Sequence, residues 1–167
     1  FSEETLRKTL NIMKEVRYTP SDTVFMKDDI SNKSLYIVRK GEVEIFVEPN
    51  TNGPQLAGHS VKNSYVPIQK LKSGDVFGEI GFFTGRQRSI SARSTDFTSV
   101  FMIKRDDFLE IIEKNESDFQ KFSEIKDKMN LYQDPSDLYI KCYSCNKNDH
   151  TVNNCPVLHF VPKKEIL

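Results

Sequence analysis

The chain has 167 residues, enough for one principal domain and a small appendage, with 24 Lys+Arg balanced by 24 Asp+Glu. Zero net charge excludes a global field that would draw the chain to nucleic acid or anionic lipid, so any anion site must be local. A hydrophobic share of 37% with 12 Phe suffices for a core, 29% charged residues describe a soluble surface, and no apolar run nears the roughly 20 residues needed to span a bilayer.

Residues 2–15 read as an amphipathic helix. Ser2 caps it, Glu3 and Glu4 suit its positive end, Phe1 staples onto Leu6, and Leu6, Leu10 and Met13 share one face. Opening on this helix without Met, the chain is expected to be a piece of a longer protein. Tyr18 to Asp22 is a turn into a strand at 23–27. Strands at 34–40 and 42–48 around Gly41 read as a hairpin, with Val43, Ile45 and Val47 on the core face and Glu42, Glu44 and Phe46 on a mostly wet one. Residues 49–63, rich in Asn, Gly, Pro and Ser, form a long loop that includes His59; residues 65–71 return as a strand whose Pro67 marks an edge or bulge. Strands at 89–93 and 98–104 flank a turn at 94–96, and many short strands with regular turn signals argue for a rolled antiparallel β structure.

From Arg105 the period becomes helical through Phe108, Ile111 and Ile112. Residues 115–118 break and re-cap the chain, and Phe119, Phe122, Ile125 and Met129 carry a second helix to about 130, followed by a linker at 134–137.

Between the strands, residues 73–94 place Glu79 and Arg88 nine positions apart among glycines at 74, 78, 81 and 85. Gly78 and Gly81 permit close backbone approach or unusual φ, and Arg88 offers a planar fork suited to two phosphate oxygens. Glu79 repels phosphate, so its use is to accept a hydrogen bond from a neutral donor such as a sugar hydroxyl. A ligand with one phosphate beside a ribose hydroxyl fits both groups.

Phe77-Gly78-Glu79-Ile80 and Arg88-Ser89 resemble, at unbroken spacing, the phosphate-binding cassette of the cyclic-nucleotide-binding domain family. Ile90 stands where that family usually has Ala, and Gly81-Phe82-Phe83 replaces a small residue followed by aliphatics. The resemblance implies an α+β fold: an antiparallel, jelly-roll-like β-roll flanked by an N-terminal helix and two C-terminal helices. It implies cAMP or cGMP as ligand, held by Phe77, Gly78, Glu79, Ile80, Gly81, Arg88, Ser89 and Ile90, with Ile125 and Met129 as lid contacts to the base. Residues 77–84 with Arg86 and Arg88 resemble the version found in cyclic-nucleotide-regulated cation channels. That likeness implies a pore domain and sister subunits as partners, tetrameric at full length, at the cytoplasmic face of a membrane.

All three cysteines lie in residues 142–155, which argues for a reducing compartment. Cys142, Cys145, His150 and Cys155 have the spacing C-x2-C-x4-H-x4-C, which closes a tetrahedron around zinc and leaves no open position for catalysis. The segment resembles a zinc knuckle, with Asn146 and Asp149 where knuckles commonly have Gly. Tyr143 and Val152 could form a stacking platform for single strands, but Lys147 is the sole basic residue between the outer ligands, so nucleic acid is not favoured as a partner. No nucleophile–base pair stands out, and the expected role is a binding module rather than an enzyme. The expected division is a cyclic-nucleotide-binding domain at 1–130, a linker at 131–141, the knuckle at 142–155 and a tail at 156–167.

Overall fold

The strands between the helices form two four-stranded antiparallel sheets packed face to face. The structure is a computed structural model that describes residues 1–47, 65–138 and 140–158. In chain order the elements are α1 (Glu3–Ile12), β1 (Lys14–Tyr18), β2 (Thr23–Phe25), β3 (Leu35–Lys40), β4 (Val43–Val47), β5 (Val66–Leu71), β6 (Val76–Phe77), α2 (Glu79–Thr84), β7 (Ser91–Ser94), β8 (Thr98–Ile103), α3 (Arg105–Ile112) and α4 (Glu116–Asp127). One sheet has the order β1-β8-β3-β6 and the other β2-β7-β4-β5. Inward residues alternate along β3, where Tyr36 and Val38 are buried, and the facing sheet supplies Val43, Ile45 and Ala92. The expected α+β roll with one helix before it and two after it is therefore present. Among the described residues no helix is long and apolar enough to cross a membrane.

Several local expectations are corrected. The expected hairpin at Gly41 is a corner instead: β3 pairs with β8 and β6, whereas β4 pairs with β5 and β7 in the other sheet. Gly41 has φ 88°, and a Cβ there would lie 2.6 Å from the Phe97 carbonyl oxygen, so only glycine fits where the chain changes sheets. The outer face of β4 is covered rather than wet. Glu44 and Phe46 are buried beneath Arg93, whose Nη2 donates to Glu44 Oε2 at 2.6 Å and whose guanidinium lies 3.6 Å from the Tyr65 ring centre. Pro67 sits on edge strand β5, opposite Phe46 at a register shift, as its missing N–H requires. The loop expected at 49–63, with His59, lies outside the described residues.

The first helix ends at Ile12, and residues 14–18, expected as helix end and turn, form β1 against β8. Its expected apolar face points outward, with Leu6 51% and Leu10 66% exposed while Thr5 and Thr9 are buried. Two anchors set this rotation. Ser2 donates through its backbone N (2.8 Å) and its hydroxyl (2.5 Å) to the Asp118 carboxylate on α4. Phe1, expected to staple onto Leu6, packs edge-on against Phe108, with ring centres 5.3 Å apart.

Asn115 caps α4 by accepting from Asp118 N, as expected for a re-capped break. Phe122, Ile125 and Met129 join Phe82, Phe83, Phe108 and Ile112 in a second core that ties α2 to α3 and α4, while Phe119 stays outside it, 43% exposed. Residues 128–132 continue as one wider π-helical turn. The segment expected as a linker lies against the protein: Pro135 is fully buried, Leu138 packs on the second core and Ile140 is buried.

Candidate functional site

The site begins where β6 ends. Gly78 takes φ 86°, turning the chain into the short helix α2, and Gly85 at φ 70° ends that helix. The next loop is pinned to residues 28–29: Arg88 N donates to Asp29 O at 3.0 Å, and Arg88 O accepts from Asp28 N at 2.8 Å. From that fixed backbone the Arg88 side chain runs back under the cassette. Its Nη1 donates to Gly78 O (2.7 Å) and its Nη2 to Asn32 Oδ1 (2.8 Å) and Ser34 O (2.5 Å), and the guanidinium lies 4.2 Å from the Phe25 ring centre. A Cβ on Gly78 or Gly81 would stand 2.9 Å from Arg88 Nη1. The glycines thus admit the guanidinium itself, a closer reason than the approach of a ligand.

Arg88 Nε is different. It is buried and has no hydrogen-bond partner, one of two such side-chain atoms among the described residues. A buried donor of this kind is costly unless an acceptor meets it. Arg88 also lines a small cavity, together with Phe25, Gly78, Glu79, Ile80, Gly81, Ser89, Ile90 and Tyr143. Every residue expected at the nucleotide site is there except Phe77, which lies behind the wall, stacked on Tyr36 with ring centres 5.1 Å apart. Burial pushes the Glu79 carboxyl up to about 7, against the opposing pull of its own backbone N–H, the Tyr143 hydroxyl and Arg88. Burial lowers the Arg88 pKa, an effect that the nearby Tyr36, Asp29 and Glu79 oppose.

The expected lid contacts are placed elsewhere. Ile125 and Met129 do not line this cavity; they are buried in the second core against the α2 phenylalanines. The residue that does close it is Tyr143, whose hydroxyl donates to Glu79 Oε2 at 3.2 Å across 64 positions of chain. Sequence reasoning missed Tyr143 and Phe25 as pocket residues. The one local signal for Tyr143 was an aromatic between two paired cysteines, which says nothing of where it docks.

The Cys142–Cys155 segment folds on itself. Asn146 N donates to Cys142 O (2.8 Å), Cys142 N donates to Lys147 O (2.7 Å), and Asn146 accepts φ 59° in place of a glycine. The ligand atoms of Cys142, Cys145, His150 and Cys155 all lie within 4.8 Å of one another. Zn–S bonds of about 2.3 Å at tetrahedral angles place sulfurs roughly 3.8 Å apart, so small shifts would bring this donor set onto an ion. His150 Nε2 faces Cys145 Sγ at 3.3 Å, while Nδ1 lies 2.6 Å from Asp149 Oδ1. Asp149 therefore orients the imidazole with its second nitrogen toward the sulfurs, as outer carboxylates do for metal-binding histidines. Cys142, Val152 and Cys155 are buried in the same cluster as Val24, Phe25, Ile45 and Leu71, so the module is seated in the open end of the roll.

The family model for the cyclic nucleotide-binding domain matches residues 15–115, and the chain belongs to that family. Comparison with curated protein sequences finds no match. Solved structures with a similar fold include the catabolite activator protein of Thermus thermophilus, at 20% identity and TM-score 0.55, matching 83% of this chain and 58% of that one. A cyclic nucleotide-binding-like protein of Brucella abortus matches at 22% identity and TM-score 0.55, over 68% of this chain and 86% of its own. The regulatory domain of Toxoplasma gondii PKA, crystallised with cAMP, matches at 17% identity and TM-score 0.53, over 72% of this chain and 41% of its own.

Proposed function

We propose that the chain is a cyclic-nucleotide sensor that regulates an attached effector and performs no chemistry of its own. The supporting observation is that Arg88, whose buried Nε has no partner, lines one cavity with a carboxyl, Glu79, that can accept from a sugar hydroxyl. In this reading the cyclic phosphate meets Arg88 and the backbone around Gly78–Gly81, Glu79 takes the ribose 2′-hydroxyl, and Phe77, Ile80, Ser89 and Ile90 shape the wall. The α2 phenylalanines transmit the change to Phe122, Ile125 and Met129, because both sides share one packed core. Arg86 adds a second link: its Nη2 donates to Asn130 O at 3.0 Å, just beyond α4.

The Cys142, Cys145, His150 and Cys155 set holds one zinc ion in a structural role. A closed set of four protein donors supplies folding energy to a segment too short for a core of its own, and zinc contributes on the order of 10–16 kcal/mol to such peptides. A nucleic-acid role for the module is disfavoured, since Tyr143 and Val152 are both turned into the roll. For the effector we propose a cation-channel pore in a tetramer at the cytoplasmic face of a membrane, on the strength of residues 77–84 and Arg86. Residues 1–130 would form the sensor, 131–141 a packed connector, 142–155 the metal module and 156–167 a tail.

Calorimetric titration with cAMP and cGMP, before and after chelator treatment, tests the central claim. Saturable binding at one site is expected, and silence from both nucleotides in both preparations at millimolar concentration would overturn it.

A further inference from the structure

Resting on that sensor reading, we propose that the Cys142–Cys155 module is the pocket's built-in occupant, held in place by its metal, and that the docked module and cyclic nucleotide exclude one another. Three observations carry this. First, the Tyr143 hydroxyl already donates to Glu79 Oε2, the oxygen needed by a ribose hydroxyl. Second, the cavity that Glu79 and Arg88 line with Tyr143 is about 20 Å³, room for one water molecule, whereas small-molecule pockets run to roughly 300–1,000 Å³. A nucleotide enters only if Tyr143 leaves. Third, the contact is apolar as well as polar: Cys142, Val152 and Cys155 are buried with Phe25 and Ile90, so the module is packed into the roll rather than resting on its rim.

The segment also has somewhere to go. A second cavity of about 470 Å³ borders the same Tyr143–Glu79 contact and is lined further by Leu71, Val76, Phe83, Leu138 and Ile140, so Tyr143 has open space beside it. The metal matters because two of its ligands, Cys142 and Cys155, are the residues next to Tyr143 and near Val152. Opening the metal site frees the chain on both sides of the plug and adds conformational entropy to the undocked state. Binding of nucleotide to the open form alone makes the apparent dissociation constant the intrinsic one divided by the open fraction.

The test is calorimetry with cAMP and cGMP on the zinc-loaded full chain and on Tyr143→Ala and Val152→Asp, which keep all four metal ligands. If nine molecules in ten are docked, complete release of the module should tighten binding by both variants about tenfold over the parent, the most that this docked fraction allows. Added nucleotide should also hasten zinc transfer from the parent protein to a chromophoric chelator. Weaker binding by Tyr143→Ala would make the module a lid that touches the ligand, and unchanged affinity would make it a bystander; either result overturns the proposal while leaving the sensor reading intact. Absence of binding by the parent, by both variants and by the zinc-free protein would instead sink the sensor reading and the competition with it. Hydrogen exchange over residues 43–47 and 77–103, measured on each variant, separates a released plug from an unfolded roll: strands β4, β7 and β8 must keep their protection.

Discussion

Truncating Arg88 should unfold the apo protein more easily, with no ligand involved. The side chain donates to the buried Ser34 O and to the partly buried Gly78 O and Asn32 Oδ1, and it covers the Phe25 ring. In Arg88→Ala, Ser34 O loses its donor, while Gly78 O keeps Phe82 N and Asn32 Oδ1 keeps Ser34 N and the Tyr36 hydroxyl; about 1–3 kcal/mol for the orphaned carbonyl and about 1 kcal/mol for each of the other two bonds makes roughly 3–5 kcal/mol in all. Against this stands the recovered cost of burying a guanidinium, which is several kcal/mol for a buried ion. Among the described residues no carboxylate forms an ion pair with Arg88, so that recovery is real. The balance, with the packing lost over Phe25, is a loss of about 1–2 kcal/mol, a sizeable part of the roughly 5–15 kcal/mol that holds a domain together. At this chain length that lowers Tm by on the order of 5 °C. Urea denaturation of the parent, Arg88→Ala and Arg88→Lys would measure it; Lys keeps the charge but cannot reach Gly78 and Ser34 from two nitrogens, so it should fall between. A change below about 0.5 kcal/mol in Arg88→Ala would show that the guanidinium is held for ligand alone and that its protein bonds are incidental.

Because burial raises Glu79 from 4.5 to about 7, the folded state binds that proton more tightly than the unfolded state. Its charge therefore costs stability above pH 7, and the cost disappears as pH falls from 7 toward 4.5. Glu79→Gln should be more stable than the parent at pH 8 in urea titrations, with the gap closing by pH 5; a gap independent of pH would contradict the assignment. Asp118→Ala should cost about 1–3 kcal/mol and speed hydrogen exchange across α1, since it removes both of the bonds from Ser2 that orient that helix. Equal exchange in α1 would assign its placement to Phe1 alone. Metal analysis should find about one zinc per chain, and chelation should strip protection from residues 142–155 while β4, β7 and β8 keep theirs.

Two features of the protein were legible in the sequence because each is short and self-contained. The cassette from Phe77 to Ile90 and the four ligands from Cys142 to Cys155 depend on spacing along the chain, and turn glycines or paired cysteines reveal such spacing directly. The capping of α4 by Asn115 and the edge position of Pro67 were readable for the same reason, since one residue's own backbone chemistry decides each. What depended on distant partners was not. Residues 14–18 became a strand because β8 offered an open edge, and Gly41 became a corner because β3 and β4 each found other neighbours. The threonine face of α1 turned inward because Asp118 and Phe108, more than a hundred positions away, hold Ser2 and Phe1. Tyr143 reached Glu79 for a like reason: the cysteine spacing specifies a metal-sized loop but carries no address, and only the open end of the folded roll supplies the apolar surface and the carboxylate that receive it.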